Sequence, residues 1–344
     1  MVSSARPTIA RPRPPAMSDV AQVAGVSHQT VSRVLNAHPS VRPATRARVL
    51  EAIAELGYRR NTAARALVTR RSGTIGVVTT GLPYFGPTST LIAVEEAARD
   101  AGYFVSIATL AGIDAPSVDQ AVEHFLAQAV EGIIVIAPHD DVRDALVQFA
   151  DEVPLVMIAA EPSPGFSFHT MSVDQELGAR LATRHLLELG HREVVHLAGP
   201  QDWIDARARL VGWRSELAAA GVTAPEPITG DWSAGRGYEV GRRLVRDGVP
   251  SAVFAANDQL ALGLLHAFAE GGVAVPRDVS VVGFDDVAEA AHFSPPLTTV
   301  RQDFATLGAR CMQLLVAAMG GIELETAPIP PRLVVRASTA PPRF

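Results

Sequence analysis

Between Asp19 and Asn36 the chain gathers His28, Gln29, Thr30, Ser32, Arg33 and Asn36 around an apolar frame of Val20, Val23, Ala24, Val31, Val34 and Leu35. Amide and guanidinium side chains can read base edges: glutamine pairs with adenine and arginine with guanine, each good bidentate pair contributing ~1–3 kcal/mol of discrimination. His28 adds a ring that can donate or accept. That chemistry needs a rigid frame, and the flanking residues supply one. Helical patterns are expected over roughly 18–25, 27–36 and 43–56, with Gly25 between the first two, Ser27 as an N-cap and Pro43 in the first turn of the third. The polar residues then begin at the N-terminus of the second helix, the end that a helix-turn-helix inserts into a major groove.

A second set of reactive side chains lies far downstream. Asn257-Asp258 and Asp285-Asp286 each follow an apolar run of strand length, Ala252–Ala256 and Val279–Phe284. Similar runs at Ile75–Thr80, Phe104–Leu110, Gly132–Ala137, Leu155–Ala159 and Val194–Ala198 alternate with helix-length segments. Strands apolar on both faces and separated by helices predict parallel sheets covered on both sides. There are too many for one sheet, so two doubly wound lobes are expected, with Leu297–Asp303 and Leu333–Arg336 returning the chain between them. Ligands bind at the carboxyl ends of such strands. There Asn257 and Asp285 could grip hydroxyls, Arg209 could donate, and Trp232 or Phe304 could offer an apolar face to a sugar ring. Asp258 and Asp286 are expected to cap the helices that follow. Adjacent carboxylates on an extended backbone point to opposite faces, a poor acid–base pair. With no nucleophile motif and no phosphate-cradling loop, no enzymatic activity is expected. The histidines form no ligand-spaced cluster, so neither a metal nor a cofactor is expected.

Charge divides the chain in the same way. Residues 1–72 hold 12 Arg against 3 acids, a balance of +9, whereas residues 73–344 hold 18 Arg against 33 acids, a balance of −15. A basic head on an acidic body is the layout expected when only the head meets nucleic acid. The chain contains no lysine, so its cationic contacts fall mainly to arginine. A single cysteine, Cys311, excludes an internal disulfide; set in an apolar run, it reads as a buried structural thiol. No apolar stretch approaches the roughly 18 residues of a membrane span, and the Pro/Arg-rich start has no secretory apolar region, so a cytoplasmic location is expected. The expected layout is a disordered extension over 1–16, a helix-turn-helix domain over 17–60, a hinge helix and linker over 61–72, and a two-lobed body over 73–340.

Residues 17–72 resemble the head of the lactose/galactose-repressor family, through the Gln29 to Val34 core of the second helix. The resemblance continues to about residue 340 in separate strings, including Leu197–Pro200, Ala206–Trp213, Gly230–Ala234, Ala256–Gln259, Gly283–Asp286 and Pro295–Phe304. It implies a sequence-specific transcriptional regulator, expected to be a repressor, with a body like a periplasmic sugar-binding protein. It places base reading on His28, Gln29 and Arg33, and phosphate contact or helix positioning on Thr30, Ser32, Asn36 and Thr45. Asn61, Ala64 and Leu67 fall in a hinge helix whose leucine would wedge into the minor groove of bent DNA; an interdomain core position is the other reading of Leu67. Effector contacts fall on Thr80, Arg209, Trp232, Asn257, Asp285 and Phe304. Where the family's lactose-responsive pattern carries an asparagine and an aspartate in the first lobe, this chain has Ile136 and Ala159, so a lactose-type ligand is not implied, and a different sugar, or a larger one reaching Tyr84 or Trp203, stands as an equal expectation. The implied partners are palindromic operator DNA, a small-molecule effector (a sugar) and a second copy of the chain. A dimer is expected because the chain ends in Pro341-Pro342 without leucine heptads. Whether the effector induces or corepresses stays open. A transport-associated sugar-binding protein would share the body but has no use for a basic helix-turn-helix head.

Overall fold

The computed structural model describes residues 13, 15–36, 38–59, 71–81, 84–160, 168–324 and 326–343. Asn61, Ala64 and Leu67 lie outside these residues, as does most of the expected N-terminal extension. The chain divides into two compact units, Met1–Ser72 and Gly73–Phe344.

The first unit contains α1 (Met17–Ala24), α2 (His28–Leu35) and α3 (Pro43–Leu56). Gly25 makes the turn possible. It sits at φ 61°, ψ 42°, and donates back to the last turn of α1, a left-handed cap that costs glycine little. Ser27 then caps α2, its side chain accepting from Thr30 N at 3.2 Å. Val20, Ala21 and Ala24 of α1, Val31 and Val34 of α2, and Val49 and Ala52 of α3 bury into one small core closed by Tyr58. Val23 does not join that frame. It is 47% exposed, because the buried stripe of α1 runs through positions 20, 21 and 24 and leaves position 23 outside.

The second unit holds two α/β lobes. The first sheet runs in the order β2-β1-β3-β4-β5, formed by β1 (Thr74–Thr80), β2 (Phe104–Leu110), β3 (Ile133–Ile136), β4 (Leu155–Ile158) and β5 (His169–Met171), all parallel. Helices α5 (Ala115–Ala127) and α6 (Asp140–Leu146) cover one face, α4 (Phe85–Asp100) and α11 (Phe304–Met319) the other. The second sheet runs β11-β10-β9-β8-β6-β7, through β6 (Val194–Ala198), β7 (Ile228–Thr229), β8 (Ala252–Ala255), β9 (Ser280–Asp285), β10 (Thr298–Arg301) and β11 (Arg332–Val334). Only β11 is antiparallel. Helices α7 (Gln175–Glu188) and α8 (Ile204–Ala219) pack on one face, α9 (Ala234–Asp247) and α10 (Asp258–Glu270) on the other.

The long apolar runs became strands, as their composition required. Cys311 is fully buried in the first-lobe core, and burial pushes its thiol upward, away from reactivity. The chain passes between the lobes three times: after β5, between β10 and α11, and before β11. Two of the passages are tied together, Asp174 N donating to Ile329 O and Ile329 N to Ser172 O, each at 2.9 Å. Among the described residues no helix is long and apolar enough to cross a membrane.

Candidate functional site

In the head, His28, Gln29 and Arg33 are exposed on α2, while Thr30 and Ser32 are half-buried. Positions 28, 29, 32 and 33 share one face by helical periodicity, and Asn36 continues it, its Nδ2 donating to Ser32 Oγ at 3.5 Å. Thr30 is partly engaged, its hydroxyl 2.9 Å from that of Ser27. Thr45 lies half-buried in the first turn of α3. The face therefore offers an imidazole and an amide at the helix N-terminus and a guanidinium in its last turn, the set needed to address base edges.

In the body a cleft opens at the carboxyl ends of the strands of both lobes. It is lined by Arg209, Trp232, Asn257, Asp285 and Phe304, and also by Tyr84, Trp203, Gln175, Gln302 and Asp205. Thr80 is not among the lining residues; it lies buried at the end of β1.

Arg209 and Asp285 are both buried and belong to a closed polar circuit. Arg209 Nε donates to Gln175 Oε1 at 2.9 Å, and Gln175 Nε2 donates to Gln302 Oε1 at 2.8 Å. Gln302 Nε2 in turn donates to Asp285 Oδ1 at 2.7 Å. The circuit closes through Arg209 Nη2, 3.8 Å from the same Asp285 oxygen, a distance too long for a hydrogen bond. Arg209 Nη1 is anchored on the carbonyl of Ala256, and the guanidinium lies 3.9 Å above the centre of the Phe284 ring. Burial lifts the Asp285 carboxyl to about 6 even though Arg209 and Gln302 pull it back, and burial pushes the Arg209 guanidinium down. A carboxylate can accept about four hydrogen bonds. Asp285 thus retains acceptor capacity at a desolvated position, beside a cation whose pairing with it is incomplete.

The neighbouring residues hold this geometry. Asn257 Oδ1 accepts from Leu260 N at 2.8 Å, making Asn257 the N-cap of α10, and its Nδ2 donates to Trp232 O at 3.0 Å. Asn257 therefore fixes the backbone of Trp232 as well as lining the cleft. Neither Asp258 nor Asp286 caps a helix, which corrects the expectation. Asp258 ties three segments together, its Oδ1 accepting from Thr299 Oγ1 at 2.6 Å and its Oδ2 from Val287 N at 2.8 Å, and burial lifts it to about 8. Asp286 pairs with Arg301 and, at 2.7 Å, with Arg336. Asp285 and Asp286 do diverge, but not through extended backbone: their φ angles are 111° and 56°. Trp232, at φ 72°, is likewise left-handed. Non-glycine residues in this region cost on the order of 1–3 kcal/mol each and tend to cluster at functional sites.

Aromatic rings form the rest of the cleft. Trp203 meets Tyr84 edge-on at 5.5 Å and Trp232 edge-on at 5.7 Å between ring centres. Gly199 makes room for this stack, since a Cβ there would lie 2.2 Å from the Trp232 ring. The Nε1 of Trp232 is buried and has no partner among the described residues. Gln175 and Gln302 are the site residues that sequence reasoning missed. Gln302 falls inside one of the resembling strings, but nothing in its neighbours distinguishes it. Gln175 opens α7 just after a crossing between lobes, and its role depends on that tertiary placement. No group of His, Cys, Asp or Glu able to hold a metal occurs among the described residues.

Residues 16–61 match the bacterial regulatory proteins of the lacI family, and residues 183–339 match the periplasmic binding protein-like domain. The chain is 36% identical over 332 residues to the lactose operon repressor of Escherichia coli, covering 96% of this chain and 92% of that protein. The crystal structure of the lac repressor dimer bound to operator and the anti-inducer ONPF superposes with a TM-score of 0.87 at 34% identity, covering 95% of this chain and 100% of that one. A complex of the transcriptional regulator CelR with cellobiose superposes with a TM-score of 0.70 at 32% identity, covering 94% and 99%.

Proposed function

The chain belongs to the lacI family of bacterial regulatory proteins, and on that premise we propose that its cleft is the effector site of a sugar-responsive repressor acting on operator DNA. Its relatives are transcriptional regulators rather than enzymes, and this chain is one too. The observation that carries the effector reading is the Arg209–Gln175–Gln302–Asp285 circuit at the floor of the cleft. A ring hydroxyl donates and accepts at once, so it can bridge the spare acceptor of Asp285 and the incompletely paired Arg209. Trp232 and Phe304 offer apolar surface to the ring.

His28, Gln29 and Arg33 are the base readers in this account, with Thr30, Ser32 and Asn36 orienting the helix or meeting phosphates. Asn61, Ala64 and Leu67 act from the hinge helix. The functional division is a disordered extension over 1–16, a DNA-binding domain over 17–60, a hinge over 61–72 and an effector-binding and dimerising body over 73–340, in a cytoplasmic protein. The working unit is a two-fold dimer matching a palindrome. The effector stabilises the closed arrangement of the lobes, which shifts the first lobes across the dimer interface and removes the spacing the hinge segments need on DNA. Support comes from the three crossings between lobes, joined by the Asp174–Ile329, Ile329–Ser172 and Gln175–Gln302 hydrogen bonds, and from a cleft that both lobes line.

A screen of neutral sugars by thermal shift, repeated with operator duplex present, tests the reading. The expected result is a saturable rise in melting temperature that operator DNA changes. Absence of any shift across the sugars would overturn it.

A further inference from the structure

The Asp285 carboxylate reaches the cleft from a turn that its backbone alone would not keep; the inference drawn from this rests on the effector reading above. Asp285 and Asp286 are consecutive non-glycine residues at positive φ, 111° and 56°. Such a pair persists only where surrounding contacts over-determine it. Each residue of the turn is held by a different partner. Gln302 donates to Asp285, and Asp258 accepts from the amide of Val287 at 2.8 Å. Between them Asp286, its side chain 3% exposed, is gripped by Arg301 and Arg336.

The two arginines are not equivalent. The Arg301 side chain is 41% exposed, so water competes for its pairing, whereas that of Arg336 is 17% exposed. Arg336 is also anchored along its whole length. Its Nη2 donates to Asp286 Oδ1 and its Nη1 to Leu297 O, each at 2.7 Å, while its backbone N donates to Thr298 Oγ1 at 2.9 Å. The residues that follow are tied to β9, the strand that carries Asp285. Val281 N donates to Ser338 O at 2.9 Å and Ser338 Oγ to Val281 O at 2.6 Å. Ala340 N donates to Ser280 Oγ at 3.0 Å. Arg336 thus links the segment fastened at the start of β9 to the turn at its end. Neither Arg336 nor Asp286 is among the described residues that line the cleft, so both would act on a sugar through Asp285. We infer that Arg336 is a positioning residue of the effector site: by fixing Asp286 it keeps the neighbouring Asp285 carboxylate aimed into the cleft. The segment after β11 then takes part in sugar recognition without touching the sugar.

A double-mutant cycle separates positioning from mere structural support. The full-length protein is titrated calorimetrically with whichever of lactose, cellobiose, D-galactose, D-glucose and D-ribose binds the parent most tightly. Arg336→Met, which keeps most of the aliphatic stem, is expected to weaken binding on the order of tenfold, and Arg336→Lys by less. In an Asp285→Asn background Arg336→Met is expected to cost little further affinity, yet to lower the melting temperature as much as it does in the parent. Asp286→Asn, which tolerates the left-handed backbone and removes the ion pairs, gives the same readout should Arg336→Met melt early. Unchanged sugar affinity in both Arg336→Met and Asp286→Asn would overturn the inference and leave the effector reading standing. So would an equal loss of affinity in the two backgrounds, since Arg336 would then act without Asp285. If none of the five sugars binds the parent, the sugar reading fails and takes this inference with it.

Discussion

Asp285→Asn is the most informative single change in the cleft, because asparagine tolerates the φ of 111° and still offers an oxygen to Gln302. What it removes is charge. Asp285 accepts one short bond from Gln302 and faces Arg209 at 3.8 Å in a buried setting. Loss of a hydrogen bond between a charged group and an effector hydroxyl costs ~1.5–3 kcal/mol, or roughly 10- to 150-fold in affinity. The effect on folding should be much smaller. Arg209 loses a distant counter-charge but keeps its bonds to Gln175 and the Ala256 carbonyl. The fold in turn is relieved of a carboxylate that burial opposes. These opposing effects leave a net change within ~1 kcal/mol, a shift of about 2–4 °C in Tm. Calorimetric titration with the sugar selected by the screen, a melting curve and an operator titration without sugar complete the test. The expected variant binds operator normally, melts close to the parent and needs far more sugar for the same response. A normal sugar response would refute the assignment of Asp285. A large loss of Tm accompanied by lost operator binding would show that the carboxylate holds the lobe together instead.

Arg33→Ala should weaken operator binding by ~1–3 kcal/mol while changing binding to random DNA little, measured by anisotropy on both duplexes; equal losses would make Arg33 a phosphate contact. Gly199→Ala should weaken sugar binding and alter tryptophan fluorescence, because its Cβ would overlap the Trp232 ring, and unchanged values of both would remove Trp232 from the site. Sugar affinity should be full well above pH 6 and fall as Asp285 gains a proton through about 6, approaching roughly tenfold per pH unit. Stability should move the other way. Native Asp285 and Asp258 keep protons up to about 6 and about 8, whereas unfolded carboxyls release theirs near ~3.9. The native state therefore binds more protons between these limits, and these two groups lower stability as pH rises through that window. Titration of sugar affinity and Tm from acid to neutral pH checks both trends; a flat affinity profile would contradict the role of Asp285.

The architecture was legible because its signals are local and strong. Apolar runs such as Ile133–Ile136 and Val194–Ala198 are buried on both faces and have no polar period, so they could hardly be anything but strands of covered sheets. β5 and β7 passed unnoticed, since three and two residues hold no period to read. Gly25, Ser27 and Pro43 announced the helix boundaries of the head through backbone chemistry that acts within a few residues. Val23 misled because apolar identity alone does not say which side of a short helix faces inward. In the cleft, the residue types at strand ends pointed to Asn257 and Asp285 and the family resemblance pointed to Arg209 on α8, yet the division of labour among them did not follow. Whether Asn257 or Asp258 capped α10 depended on where β10 placed Thr299. Gln175 and Gln302 meet across 127 residues of sequence, and no local pattern records such a bond.

The central claim is that one molecule couples the cleft to operator binding. The direct measurement is an operator titration of the full-length protein, with and without a saturating concentration of the sugar that raises its melting temperature most. The account predicts a shift in operator affinity of about 5- to 150-fold, corresponding to a coupling of ~1–3 kcal/mol. At the same sugar concentration the shift should be greatly reduced in Asp285→Asn. Superimposable titration curves at full occupancy of the cleft would contradict it.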